Sequence, residues 1–411
     1  MTEVRVHGIA TGGDGVGRLP EGLTVFVPRA ASGDLVDLDV IERRRRFARG
    51  RIRSIREASP ERADPACPHY EGDGCGGCQL QHLTPAAQLA AKRTIVHDVL
   101  ARVGGREAAV PAVVPAPAPW HYRTKITLAV TADRQRIGFH RYDDPGTVFE
   151  VADCPVAVPA LMDLLRGVRS ARDRLPLGVT QVMLRLDRGG GRHIVVQGGD
   201  APWDARPLAA AFAPPAPATI WWQPSDGAVR AVAGSDSAFP VLAFQQVSPA
   251  LADRIREDAV GWLGAGAGTV VWDLYGGVGD SARLLAAGGA EVWSVDADRS
   301  AVAWAQRQTP QTDTPVRYLT GRVEEVLHRL PEPHAVLLNP PRGGAAARVT
   351  QVLNRLGGSG TVRRVAYVSC DPATLARDLT RLGTFALRHA TAYDLFPQTA
   401  HVETLALLEA A

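Results

Sequence analysis

The sequence predicts an α/β protein: a Rossmann-like C-terminal domain, preceded by a small β-barrel and a central α+β domain. Three observations carry this. Beyond about residue 239, apolar strand-like runs alternate with helical patterns to the C-terminus, as in a parallel sheet covered by helices. Within that half, GTVVWDLYGGVGDSARLLAAGGAEVWSVDAD (268–298) reads as strand, glycine turn, helix and second strand. At the other end, residues 1–56 hold the alternating runs VRVHGIA, LTVFVPRA, DLVDLDVIE and GRIRSIRE, separated by Gly and Asp-Gly turns. Several short strands in so few residues suggest a closed barrel.

The elements follow in order. The barrel takes 1–57 and a cysteine-bearing loop takes 58–85. The central domain takes 86–238, opening on a helical pattern at 85–102. A proline-rich connector, VPAVVPAPAPW (110–120), follows. HYRTKITLAVT and RIGFHRY read as strands, PALMDLLRGVRSAR as a helix, and VTQVMLRLDRGGGRHIVVQGG as a hairpin. A second boundary falls near 235–243, and the Rossmann-like domain takes 239–411.

With 411 residues, 45% of them apolar, the chain has ample core for several domains. It shows no signal-peptide pattern and no run of 18 apolar residues, so it is read as a soluble, cytoplasmic protein; a monomer is expected, though the sequence does not fix the oligomeric state. The net charge of +3 says little, but its distribution says more. Residues 1–56 carry eleven arginines against seven acids, including the run 43–46, which is either a solvated edge or a phosphate-binding strip. Lysine occurs only at Lys92 and Lys125.

Three of five cysteines, Cys67, Cys75 and Cys78, fall within ACPHYEGDGCGGCQLQH (66–82). In a reducing compartment such a cluster binds metal or does chemistry. The glycine turn lacks the strict G-x-G-x-x-G of a dinucleotide site. It is either a tight turn of the sheet or a site for a ligand without pyrophosphate, such as S-adenosylmethionine. Asp296 ends the second strand, where an acid takes ribose hydroxyls. Two further strands end in chemistry-bearing residues. HAVLLNPPRGG runs into Asn339, and RRVAYVSCDPATLARDL puts Cys370 between a strand tip and a helix start, where it is either a small buried apolar residue or a thiolate favoured by the helix dipole. DLFPQTAHVETLALLEA places Glu403 in a last strand.

Taken together, CPHYEGDGCGGCQLQH, FQQVSP, DLYGGVGD, NPPRGG, SCDPATLARDL and FPQTAHVE make the chain similar to the RNA uridine-5-methyltransferases, which act on tRNA or 23S rRNA. The resemblance spans almost the whole chain, with residues 1–56 resembling a TRAM domain. It implies methyl transfer from S-adenosylmethionine to carbon 5 of a uridine flipped out of structured RNA. Cys370 would be the nucleophile and Glu403 the base. Gln246, Tyr275, Asp280, Asp296 and Asn339 would bind S-adenosylmethionine, and Tyr122, Arg123 and Lys125 would face RNA. It also implies a [4Fe–4S] cluster on Cys67, Cys75, Cys78 and Cys154, which leaves Cys370 for catalysis.

The sequence departs from the family pattern at Asn339, where aspartate is usual, at Gly276, where cysteine is common, and at Ser248, where asparagine is common. Asn339-Pro340-Pro341 also feeds a rival reading as an amino-group methyltransferase, in which Cys370 has no task. The other rival, a non-catalytic iron–sulfur RNA-binding protein, gives no task to Cys370 and Glu403.

Overall fold

A computed structural model describes residues 2–102, 112–212, 216–234, 237–310 and 316–411. The N-terminal unit is a closed five-stranded barrel. Its strands are β1 (Thr2–Ile9), β2 (Gly15–Arg18), β3 (Thr24–Val27), β4 (Leu35–Arg43) and β5 (Phe47–Glu57), ordered β1-β2-β3-β5-β4. Alternate residues point inward, so Val4, Val6, Val25, Val27, Val36 and Leu38 fill the interior. Gly17 is needed there, since a Cβ would lie 2.3 Å from Val4 Cγ1.

The cysteine loop follows, with one short helix, α1 (Pro68–Glu71), and then α2 (Pro85–Arg102). The central domain is a seven-stranded sheet. Its elements are β6 (Lys125–Val130), β7 (Ile137–His140), β8 (Val148–Glu150), α3 (Pro159–Ser170), β9 (Val179–Leu186), β10 (Arg192–Gly198), α4 (Arg206–Ala209), β11 (Thr219–Gln223) and β12 (Arg230–Ala233). The strand order is β12-β11-β10-β9-β6-β7-β8. Helix α3 packs Leu161, Leu164, Leu165 and Val168 onto it.

The C-terminal domain runs α5 (Pro249–Leu263), β13 (Val270–Leu274), α6 (Asp280–Ala287), β14 (Glu291–Asp296), α7 (Arg299–Gln308), β15 (Val316–Thr320), α8 (Val323–Val326), β16 (Ala335–Leu338), α9 (Ala347–Gly358), β17 (Arg364–Ser369), α10 (Pro372–Arg381), β18 (Phe385–Tyr393) and β19 (Glu403–Ala410). The sheet order is β15-β14-β13-β16-β17-β19-β18. Order reverses between β13 and β16, so a ligand crevice opens at their carboxyl ends.

The structure differs from the sequence reading in two places. The sheet is not parallel throughout, because β19 runs antiparallel to both β17 and β18. Residues 394–402 join β18 to β19 without a crossover helix, and only an antiparallel pair can be joined that way. The helix at 85–102, read as opening the central domain, packs instead into the C-terminal core. Val96 and Leu100 of α2 cluster there with Leu375 and Leu379 of α10. The connector at 110–120 continues this attachment: Val114 exchanges backbone bonds with Ala392 and Asp394, each at 2.9 Å. Residues 110–111 of the connector, and 235–236 of the boundary near 235–243, lie outside the described residues.

The attachment of α2 includes a buried charge. Lys92, 0% exposed, donates to the Asp394 carboxylate and to the Phe396 carbonyl, the latter at 3.0 Å. Burial pulls its ammonium pKa down, and Asp394 opposes that. Lys92→Met should therefore destabilise the protein by about 3–5 kcal/mol, because Asp394 is left buried and unpaired. Urea unfolding monitored by circular dichroism reads this. A Lys92→Met/Asp394→Leu double variant should recover much of the loss, and equal losses in both variants would argue against the buried-charge account.

Candidate active site

The glycine turn after β13 is dictated by close approach. At Gly276 a Cβ would lie 2.3 Å from Ser294 Oγ and 2.4 Å from Asp273 Oδ2. Tyr275, Gly277 and Gly279 all take positive φ (64°, 55° and 78°), and Gly279 caps α6. Asp296, at the tip of β14, fastens the turn: Oδ2 accepts from Gly277 N–H and Oδ1 from Asp298 N–H, each at 2.8 Å. Each oxygen keeps a further acceptor position for a ligand hydroxyl. Beneath the turn lies Asp273, 0% exposed, with Ser294 Oγ donating to Oδ2 at 2.9 Å and no partner for Oδ1 among the described residues. Burial pushes its pKa up to about 7. The sequence reading gave Asp273 no role, and a lone acid inside the apolar run VVWDL was the available signal.

Gln246 is delivered by a segment pinned to the central sheet. Arg185, 2% exposed, donates to the carbonyls of Val241 (2.6 Å) and Ala243 (2.7 Å) and to Gln245 Oε1 (2.6 Å). Its guanidinium also lies 4.9 Å from the Phe239 ring. Asp280, the first residue of α6, sits among three arginines: Arg283 at 2.5 Å, Arg188 at 3.2 Å and Arg256 at 3.8 Å. It lines a small recess with Gln246, Lys125 and Arg185. Asn339 follows β16, where its N–H donates to Leu274 O at 3.2 Å, so it stands beside the glycine turn.

Cys370 follows β17 and Glu403 begins β19. The antiparallel register pairs Ser369 with Thr404, which sets Cys370 opposite Glu403. Glu403 is 1% exposed, and its Oε2 has no hydrogen-bond partner among the described residues. Burial pushes its pKa up to about 8, against a hydrogen bond from Gln246 and the charge of Arg342. Cys370 is half-buried. Burial and then the Glu403 charge raise its pKa, while Arg342 opposes by charge and by a hydrogen bond. The thiolate preference expected from the helix dipole is thus outweighed. Asp371 already caps α10, taking Thr374 N–H at 2.8 Å, so the helix end is occupied. Arg342 is a further residue the sequence reading left without a role.

A second constellation adjoins this one. Cys67, Cys75, Cys78 and Cys154 line one cavity of about 320 Å³, together with Arg123, Lys125 and His401. All four are free thiols, and burial is the largest of the effects that raise each pKa. Among the described residues, no three His, Cys, Asp or Glu side chains converge on a single ion position.

Comparison with known proteins identifies the family and the fold. The tRNA (Uracil-5-)-methyltransferase family model matches residues 320–411, and the TRAM domain model matches residues 2–52. The chain is 33% identical to the 23S rRNA (uracil(1939)-C(5))-methyltransferase RlmD of Halomonas elongata, over 99% of this chain and 89% of that one. The RlmD of Pseudomonas entomophila is 34% identical over 97% and 92%. An uncharacterized RNA methyltransferase of Corynebacterium efficiens is 32% identical over 98% and 93%. Among solved structures, the fold matches the Pyrococcus abyssi tRNA (uracil-54, C5)-methyltransferase in complex with S-adenosyl-L-homocysteine. The TM-score is 0.75 at 24% identity, covering 99% of this chain and 100% of that one.

The buried carboxyl of Glu403 has a consequence for stability. Its folded pKa, about 8, lies above the ordinary 4.5. The folded state therefore keeps a proton that the unfolded chain releases. The stabilisation is fully present below about pH 4.5 and is lost as pH rises through about 8. Glu403→Gln does not titrate, so its thermal midpoint should equal that of the wild type near pH 4.5 and exceed it increasingly up to pH 8. Parallel midpoint curves across that range would show that Glu403 does not carry the shifted proton.

Proposed function

The chain belongs to the RNA (uracil-5-)-methyltransferase family, and from that premise we propose how its own residues carry the reaction. The protein methylates carbon 5 of uridine in RNA, with S-adenosylmethionine supplying the methyl group. In the proposed scheme the Cys370 thiolate, its proton released to solvent, adds to carbon 6 of the uracil, and the electrons of the 5,6 double bond move onto carbon 5 and the 4-carbonyl. Carbon 5 takes the methyl group, and S-adenosylhomocysteine departs. Glu403, ionised, accepts the proton from carbon 5. The carbon–sulfur bond then breaks, the double bond returns, and Cys370 leaves as thiolate. Arg342 opposes the rise in the Cys370 pKa. The observation that carries this reading is the register placing Cys370 opposite a buried carboxyl raised to about 8.

Gln246, Tyr275, Asp280, Asp296 and Asn339 are proposed to hold the methyl donor. Asp296 would give its free acceptor positions to the ribose. Asn339 offers an amide where relatives of the family pattern carry a carboxylate. For Asp280 to face the donor, one of its arginine partners must yield. The target is proposed to be a uridine of 23S rRNA, as the names of the relatives indicate. The target base must leave its stack to reach so recessed a thiol. On the barrel, Arg43 and Arg44 pair with Glu21 and Glu42, so Arg45 and Arg46 are the members of the run proposed for phosphate.

We also propose that the four-cysteine cavity holds a [4Fe–4S] cluster. Four thiols lining one cavity match the ligand count of such a cluster. The cluster would fasten the cysteine loop to the central domain.

Two experiments test these assignments. Glu403→Gln should accumulate an RNA adduct through Cys370, since loss of a general base slows elimination by about 10²–10⁴. A denaturing gel with labelled 23S rRNA fragment and S-adenosylmethionine should show a shifted band, absent in Cys370→Ala and in the double variant. Turnover of Glu403→Gln at the wild-type rate would assign the base elsewhere, and methylation by Cys370→Ala would refute the adduct. Separately, anaerobically purified protein should carry about four irons per chain and be oxygen-sensitive. Zinc without iron would exclude the cluster.

A further inference from the structure

Residues 394–402 leave β18 and deliver Glu403 to the head of β19, where it pairs with Tyr393, so the loop adds to the sheet register in fixing where the carboxylate starts. Its most constrained point is Gln398. This residue adopts φ +70°, a left-handed backbone that residues with a side chain adopt rarely and at a cost. A reciprocal amide pair holds it there. Gln398 N–H donates to Gln88 Oε1 at 3.0 Å, and Gln88 Nε2 donates to Gln398 Oε1 at 3.0 Å. Gln88, on α2, is itself fixed by a second Nε2 bond to Leu83 O at 3.0 Å. The Gln398 carbonyl accepts the N–H groups of Gln79 (3.1 Å) and Leu80 (3.0 Å), which directly follow Cys78. Both side chains are buried, at 3% exposure for Gln88 and 5% for Gln398, so water cannot take the place of either partner.

None of these bonds touches β17. The thiol and the carboxyl share the sheet through the β17–β19 register, but Glu403, the first residue of β19 and paired with Tyr393 of β18, is approached through a loop clasped from outside the sheet, and Cys370 is not. We propose that Gln398, with Gln88 as its partner, is a positioning residue for proton removal from carbon 5. It sets the Glu403 carboxylate against the methylated base and leaves addition by Cys370 untouched. The inference rests on Cys370 as nucleophile and Glu403 as base. It predicts that loosening the clasp slows only the elimination half of the reaction, because a misplacement near 1 Å, even from a distant change, costs up to about 10²-fold in rate.

The test uses the full-length protein with Gln398→Ala, Gln88→Ala and Gln398→Asn, beside wild type and Glu403→Gln. Both alanine variants should turn over about tenfold to a hundredfold more slowly. They should bind S-adenosylmethionine within about twofold of wild type by calorimetry, the signature of a folded site. They should also accumulate the denaturation-resistant RNA adduct, and lose it when combined with Cys370→Ala. Gln398→Asn keeps an amide and tolerates the left-handed backbone, so it should recover part of the turnover. Wild-type turnover in both alanine variants would overturn the proposal. So would slow turnover without adduct, or loss of S-adenosylmethionine binding in both, which would make the clasp a folding element only. Absence of adduct in Glu403→Gln as well would place the failure in the assignment of the base itself.

Discussion

The loop at residues 394–402 bonds within itself around Thr399 but is anchored by groups distant from it in sequence. Lys92 neutralises Asp394 and takes the Phe396 carbonyl. Tyr122 Oη donates to the Pro397 carbonyl at 3.0 Å, and the Gln398 carbonyl receives two N–H groups of the cysteine loop. Helix α2, the central domain and the cysteine loop thus meet on one stretch of backbone, and that stretch ends in Glu403. A carboxyl buried to 1% exposure needs such a frame, since burial without geometry is only a penalty. The cysteine loop is clamped on its other side by the barrel. The Arg29 guanidinium lies between the Tyr70 and Tyr142 rings, at 4.1 and 4.0 Å, and donates to the Cys75 carbonyl at 3.2 Å. The four parts of the chain form one body around the site.

The electrostatics of the site follow from the same enclosure. Burial raises both Cys370 and Glu403, and each carries negative charge when ionised, so they oppose one another's ionisation. Arg342 acts on both, lowering each. A proton retained by Glu403 in the resting protein relieves repulsion on the thiolate. A carboxyl raised to about 8 is also a stronger base than an exposed one when it must take a proton from carbon. Glu403 must release that resting proton to solvent before it accepts the one from carbon 5, so the two steps use the carboxyl in different protonation states.

Much of this was legible in the sequence because it is local. The glycine turn, the strand tips ending in Asn339 and Cys370, and the barrel's alternation are each written in a few consecutive residues. The long-range pairings were not. The helical pattern at 85–102 does not show what covers it, and its buried side chains include Gln88 and Lys92, so its packing on α10 rather than in the central domain could not be read. Asp280 carries a charge suited to a ligand, yet Arg188 and Arg256 reach it from a hairpin turn and a helix well separated in sequence. The thiolate expectation at Cys370 considered the helix end but not Asp371 upon it, nor the Glu403 charge brought over by strand register. Gln398 is silent in FPQTAHVE because a left-handed backbone leaves no mark when the residue is not glycine.

Methylation at carbon 5 must expel the hydrogen that stood there, and in the proposed scheme Glu403 takes it. RNA transcribed with uridine tritiated at carbon 5 measures this directly. Incubated with the protein and carbon-14-labelled S-adenosylmethionine, it should release tritium into water one-for-one with methyl groups gained. Methyl incorporation without tritium release would contradict the account, since transfer to an amino group, as Asn339-Pro340-Pro341 would suggest, leaves carbon 5 untouched.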